Sequence, residues 1–178
     1  MVIWNLEKDW MKSICNVVCA GVLLLLVSSC SEKTVIASII GYNHTHDLAF
    51  AGFTVNGVMG LNLAPESGGG GETCCVLIPQ TWRPGLTAKV AWEYNKMADD
   101  PVPIPASQEA EVEIPEYKYP GKLQVHFYAE HKIKIIVSRC AIDHPFYPMK
   151  AQDRLPWASY DMAEEIKAMK RRGERNEC

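Results

Sequence analysis

Apolar and polar residues alternate with a period of two along most of this chain, and a helical period appears only near its end. A period of two puts successive side chains on opposite faces of an extended backbone, so each such run predicts a strand with one buried face. The β-branched run Thr34 to Ile40 is the first, and Gly41 to Thr45 offers a turn after it. Leu48 to Val55 predicts a second strand. It ends at Asn56-Gly57, which tolerates positive φ at both positions and predicts a tight hairpin returning through Val58 to Leu63. Ser67 and Gly68 to Gly71 read as a flexible loop, and Glu72 to Ile78 as a strand ended by Pro79.

The Trp82-Arg83-Pro84-Gly85 segment predicts a turn leading into Leu86 to Tyr94, where alternation places Trp92 toward the core. Glu109, Glu111 and Glu113 alternate with Ala110, Val112 and Ile114, which predicts an edge strand stopped by Pro115. Lys122 to Ala129 and Lys132 to Ser138 predict two more strands. Leu123, Val125 and Phe127 form the core face of the first, with His126 on the opposite, solvent side, and Ile133, Ile135 and Val137 form that of the second. From about Asp161 to Arg172 the pattern is helical. Asp161 and Glu164 resemble a capping box, Met162, Ile166 and Met169 give an apolar stripe, and the basic residues gather at the carbonyl end. The expected fold class is mainly β, an antiparallel β-sandwich with one C-terminal helix.

Upstream of these strands, Lys12 precedes an apolar stretch from Ile14 to Val27 and the sequence Val27-Ser28-Ser29-Cys30. This has the form of a secretory signal closing on a lipoprotein box, with Cys30 as the lipid attachment residue. The stretch falls short of the roughly 20 apolar residues that a comfortable span needs. Glu7 and Asp9 offset Lys8, which favours Met11 over Met1 as the translation start. Residues 1–29 are therefore read as a signal peptide and residues 30–178 as a single β-rich periplasmic domain with an acylated N-terminus. Ser31, rather than an aspartate, follows Cys30 and points to the outer membrane.

About 150 residues remain after cleavage, enough for one domain with its own core. The net charge of −3 excludes a strongly basic nucleic-acid binder. Four of the seven cysteines remain for the folded part: Cys74, Cys75, Cys140 and Cys178. In an oxidising compartment these are disulfide candidates, with Cys74 or Cys75 expected to reach Cys140, Cys178 expected to dangle at the terminus, and a vicinal 74–75 bridge as the lesser alternative.

Chemistry-bearing motifs are sparse. The sequence has no G-x-S-x-G elbow, H-E-x-x-H pair or Walker loop. His44 and His46 would face one side of an extended backbone, and Asp47 or His144 could complete a metal site. A role as turn residues outweighs that reading, so no metal, no cofactor and no catalytic residue is expected. The glutamates of the 109–113 segment, with Asp99, Asp100 and Glu116, form an acidic edge that a basic partner could meet or that simply resists aggregation.

Taken together, GYNHT at 41–45, VNG at 55–57, the glycine run before Cys74-Cys75, LIP at 77–79, WRPG at 82–85 and VAW at 90–92 resemble a family of small bacterial lipoproteins of unknown function. Members of that family are commonly encoded beside phospholipase effectors of the type VI secretion system. The resemblance implies a non-enzymatic immunity protein, monomeric when free, that binds and neutralises a cognate phospholipase effector in the periplasm while its lipid holds it to the membrane. The alternative is a structural or accessory envelope lipoprotein without a toxin partner. Binding is usually dominated by exposed aromatic and arginine anchors, which makes Tyr42, Trp82 and Arg83 the candidate contacts, with Glu109, Glu111 and Glu113 as a second patch.

Overall fold

The structure is a computed structural model and describes residues 32–68, 71–95, 103–150, 153–154 and 162–173. The expected leader, Cys30, the helix cap Asp161 and Cys178 lie outside the described residues. All the elements below belong to one compact unit, Lys33–Cys178.

Among the described residues nine strands form two sheets, with one helix late in the chain. Sheet A contains β1 (Thr34–Asn43), β4 (Ser67–Gly68), β5 (Thr73–Pro79), β8 (Lys122–Phe127) and β9 (Ile133–Ser138). Sheet B has the order β3 (Val58–Met59), β2 (Ala49–Val55), β6 (Thr87–Asn95) and β7 (Gln108–Glu113). The helix, α1, spans Met162–Arg172 and buries Met169. Among the described residues no helix is long and apolar enough to cross a membrane.

Sheet pairing is antiparallel except between β1 and β8, which run parallel from Ile39↔Leu123 to Asn43↔Phe127. β4 and β5 both pair with β1 on the edge that β8 leaves free. Tyr42 lies opposite Gly68, and Thr34 lies opposite Pro79. The glycine-rich segment expected as a loop therefore begins as a strand. A Cβ on Gly68 would lie 2.6 Å from both the Gly41 carbonyl oxygen and the Tyr42 Cα, so only glycine permits this pairing.

The Asn56-Gly57 hairpin has φ of 50° and 82°, as a two-residue turn of the expected kind requires. Asn56 accepts from and donates to the backbone of Lys89, which ties the turn to β6. Phe53, Val55, Val90 and Trp92 of sheet B meet Ile39, Leu123, Val125 and Phe127 of sheet A in one core. The Phe127 ring sits 4.7 Å from Phe50 and 5.9 Å from Trp92, between ring centroids. Among the described residues β7 pairs only with β6 and is the expected edge strand, with its three glutamates outward.

A second apolar cluster covers the outer face of sheet A, where Ile40, Tyr42 and Ile136 pack under Cys140, Ile142 and Tyr147 of the segment after β9. That segment has no regular secondary structure and acts as a strap across the sheet.

Candidate functional site

Beneath the strap, among the described residues, lies a dense group of chemically capable side chains. β1 supplies Tyr42 on its outer face and delivers His44 just past its end, where the His44 N–H donates to the Phe127 carbonyl at 2.8 Å. Alternation along β8 puts Gln124 and His126 on the same outer face. The strap contributes Tyr147, and all five side chains are buried.

His44 Nε2 meets His126 Nδ1 at 2.9 Å, and His126 Nε2 meets the Tyr147 hydroxyl at 2.8 Å. The His126 ring stacks on Tyr42 with centroids 4.7 Å apart, and His44 stacks on Tyr128 at 4.3 Å. The Tyr42 hydroxyl donates to Gln124 Oε1, and the Gln124 amide donates to the Cys140 carbonyl at 3.0 Å. Arg154 closes the strap by donating to the carbonyls of His144, Pro145, Tyr147 and Met149.

Burial controls the electrostatics here. It lowers the His44 pKa to about 4, with Lys134 adding repulsion, and holds His126 well below the usual imidazole range. Burial also pushes the Tyr42 hydroxyl up to about 12 and raises those of Tyr128 and Tyr147. At neutral pH every member of the chain is held neutral. The histidine and tyrosine affinities for protons are thus moved apart, which opposes proton transfer between them. The group's evident work is to fasten the strap to sheet A through buried hydrogen bonds and ring stacking.

The GYNHT motif belongs to this fastening. The Asn43 side chain donates to the carbonyls of Leu48 and Ala64 and accepts from the Thr45 N–H at 2.9 Å, which fixes the loop that carries His44. Several expectations change accordingly. Tyr42 lies in a strand at 2% exposure and is not a free anchor. Trp82 is partly buried against the core, with its indole N–H donating to the Ile114 carbonyl at 2.9 Å, so it is not the exposed anchor expected. His126, expected at the solvent face, is fully buried because the strap covers that face.

His44 and His46 do not share a side: His44 turns inward, while exposed His46 contacts the Glu66 carboxylate at 2.5 Å. His144 contacts Cys140 instead, with Nδ1 3.1 Å from Sγ. Among the described residues no group of three or more His, Cys, Asp or Glu is arranged to hold a metal ion. Cys74 and Cys75 are joined to each other as a vicinal pair at the register shift between β1 and β5, and Cys140 is disulfide-bonded without either of them. The expected link from this pair to Cys140 is not formed.

The exposed candidates gather on sheet B. Arg83 is exposed on the turn before β6, and Glu109, Glu111 and Glu113 line the outer face of β7. Glu109 pairs with Lys89 at 2.9 Å, and Glu111 accepts from the Thr87 hydroxyl.

Beside these glutamates the strand register builds one outward row across the whole sheet: Met59, Thr54, Ala91 and Glu109 are successive cross-strand partners. Because Gly52, Thr54 and Ala91 are small, the row forms the floor of an open groove of about 390 Å³. Met59, 68% exposed, is on one side, with Glu93, Gln108 and Glu109 on the other. The motif search missed this groove because no single segment contains it. The outward, small residues of β2 and β6 were its only trace.

Residues 42–135 match a family model described as a protein of unknown function, DUF3304. No curated protein and no solved structure matches the chain.

Proposed function

This chain belongs to DUF3304, a family of proteins of unknown function, and from that premise we propose that it acts by binding. It is a periplasmic, lipid-anchored immunity protein that neutralises a cognate type VI secretion phospholipase effector. The observation that carries the reading is the groove across the outer face of sheet B. It joins a small-residue floor, an exposed and adaptable Met59, and the acidic side chains of Glu93 and Glu109. Such a surface receives an apolar side chain beside a lysine or arginine of the partner, with the charges steering encounter.

An interface of ordinary size, about 800 Å² on each partner, covers this groove and the neighbouring glutamates. Inhibition then proceeds by occlusion of the lipase. The lipid at Cys30 would confine the inhibitor to the compartment where the lipase meets phospholipid, which raises its effective concentration.

The test is to express the full chain together with its cognate phospholipase effector directed to the periplasm. Growth should be restored and the two proteins should co-purify. Ala91→Arg, which fills the groove floor at a solvent-facing site, should keep the urea unfolding midpoint of the parent while losing both rescue and co-purification. Unrelieved killing by the parent chain, with no complex, rejects the immunity reading. Full protection by Ala91→Arg moves the contact surface elsewhere.

A further inference from the structure

The lipid-anchor reading places Cys30 only four residues before Thr34, where β1 begins. A chain spans at most about 3.6 Å per residue, so an acylated Cys30 holds the start of β1 within about 14 Å of its own backbone. The surface at that end of sheet A has an unusual composition. Ile36 is 72% exposed and lies directly opposite Leu77, which is 65% exposed. Both are on the outer face, since the adjacent Ala37 and Ile78 point into the core.

β8 pairs with β1 only from Ile39 onward. Beside Val35–Ser38 this leaves a cleft of about 350 Å³, bounded by Pro120, Gly121, Lys122 and Arg139. The Arg139 guanidinium lies 4.9 Å from the Tyr119 ring, and the Lys118 ammonium lies 5.0 Å from the same ring. Lys33 precedes β1 and is exposed. Of the acids near this end, the Glu72 carboxylate is engaged by Lys122 and Ser38, and Glu116 lines a shallow pocket with Lys118 and Tyr119. An aliphatic pair, a partly exposed tyrosine and a surplus of cations are what the boundary between acyl chains and anionic headgroups accepts.

We propose that the Ile36–Leu77 end of the outer face of sheet A lies on an anionic bilayer surface. This orientation rests on the reading of Cys30 as the lipid-bearing residue. The groove of sheet B is on the opposite face of the sandwich, so the same orientation presents it to the aqueous compartment, where a soluble partner arrives. The short tether and the apolar pair act together: the tether limits how far the domain can leave the membrane, and the pair selects which side settles.

Methyl NMR of the full-length, processed protein tests this in nanodiscs of phosphatidylethanolamine and phosphatidylglycerol that carry a headgroup nitroxide lipid. The Ile36 and Leu77 methyl signals should lose most of their intensity, while those of Met59 and Ala91 keep theirs. Ile36→Lys with Leu77→Lys, at two solvent-facing positions, should leave the remaining spectrum folded and abolish the selective loss. A mature mass without acyl chains overturns both the anchoring and the orientation. An acylated protein in which Met59 broadens instead, or in which all methyls broaden alike, overturns the orientation alone and leaves the immunity reading to its own growth assay.

Discussion

Acid should loosen this protein well above the pH at which carboxylates alone would do so. The perturbation is a fall in pH from 7.5 to 4.5, and the responding groups are His44 and His126. In the folded chain the His44 pKa lies at about 4 against an ordinary value of 6.5, and burial moves His126 in the same direction. The neutral form is therefore favoured by folding, and between about pH 6.5 and 4 the unfolded chain binds more protons than the folded one. Stability is fully present above pH 6.5 and declines as the pH drops through that window.

At about 1.4 kcal/mol per pKa unit, His44 alone accounts for a loss of about 3 kcal/mol across the window, and His126 adds to it. Such a loss is a large share of a typical domain's stability of roughly 5–15 kcal/mol. Glu72, whose carboxyl is held below its usual range by Lys122, responds only at lower pH and is distinguishable on that ground. Urea unfolding followed by tryptophan fluorescence at several pH values measures the effect. A midpoint that stays constant from pH 7.5 to 4.5 would refute the claim that two neutral imidazoles are sealed beneath the strap.

Two further perturbations probe the same architecture. Arg154→Met removes the donors to four strap carbonyls and should cost about 3 kcal/mol in urea unfolding, with limited proteolysis cutting first between residues 139 and 154; an intact strap at equal protease would count against its fastening role. Gly68→Ala brings a methyl group to 2.6 Å from the β1 backbone and should lower the midpoint by the equivalent of about 1–3 kcal/mol, whereas an unchanged midpoint would mean that β4 does not pair as described.

The positions of the strands and most of their buried faces were legible from residue order alone. Alternation in Leu86 to Tyr94 and in Lys122 to Phe127 marked the correct core faces, and Asn56-Gly57 marked its turn, because these signals come from backbone geometry acting over a few residues. Alternation separates two faces of a strand, yet it cannot say what covers the outer one. His126 was expected in water for that reason, and the strap more than twenty residues downstream decided otherwise. Tyr42 and Trp82 changed role in the same way, since an aromatic residue beside a turn signal can fill the core or meet a partner depending on packing that lies far off in the chain.

What the chain's own order determined is the mainly β class, most of the strand faces and the edge position of the glutamates. Only the tertiary structure decided which strands are neighbours, including the parallel β1–β8 pair, and so which distant side chains meet. The His44–His126–Tyr147 chain and the groove floor of Thr54 and Ala91 both arise from that pairing. Local propensity acts between residues close in sequence, whereas these groups are assembled by burial of apolar surface over separations that no local pattern records.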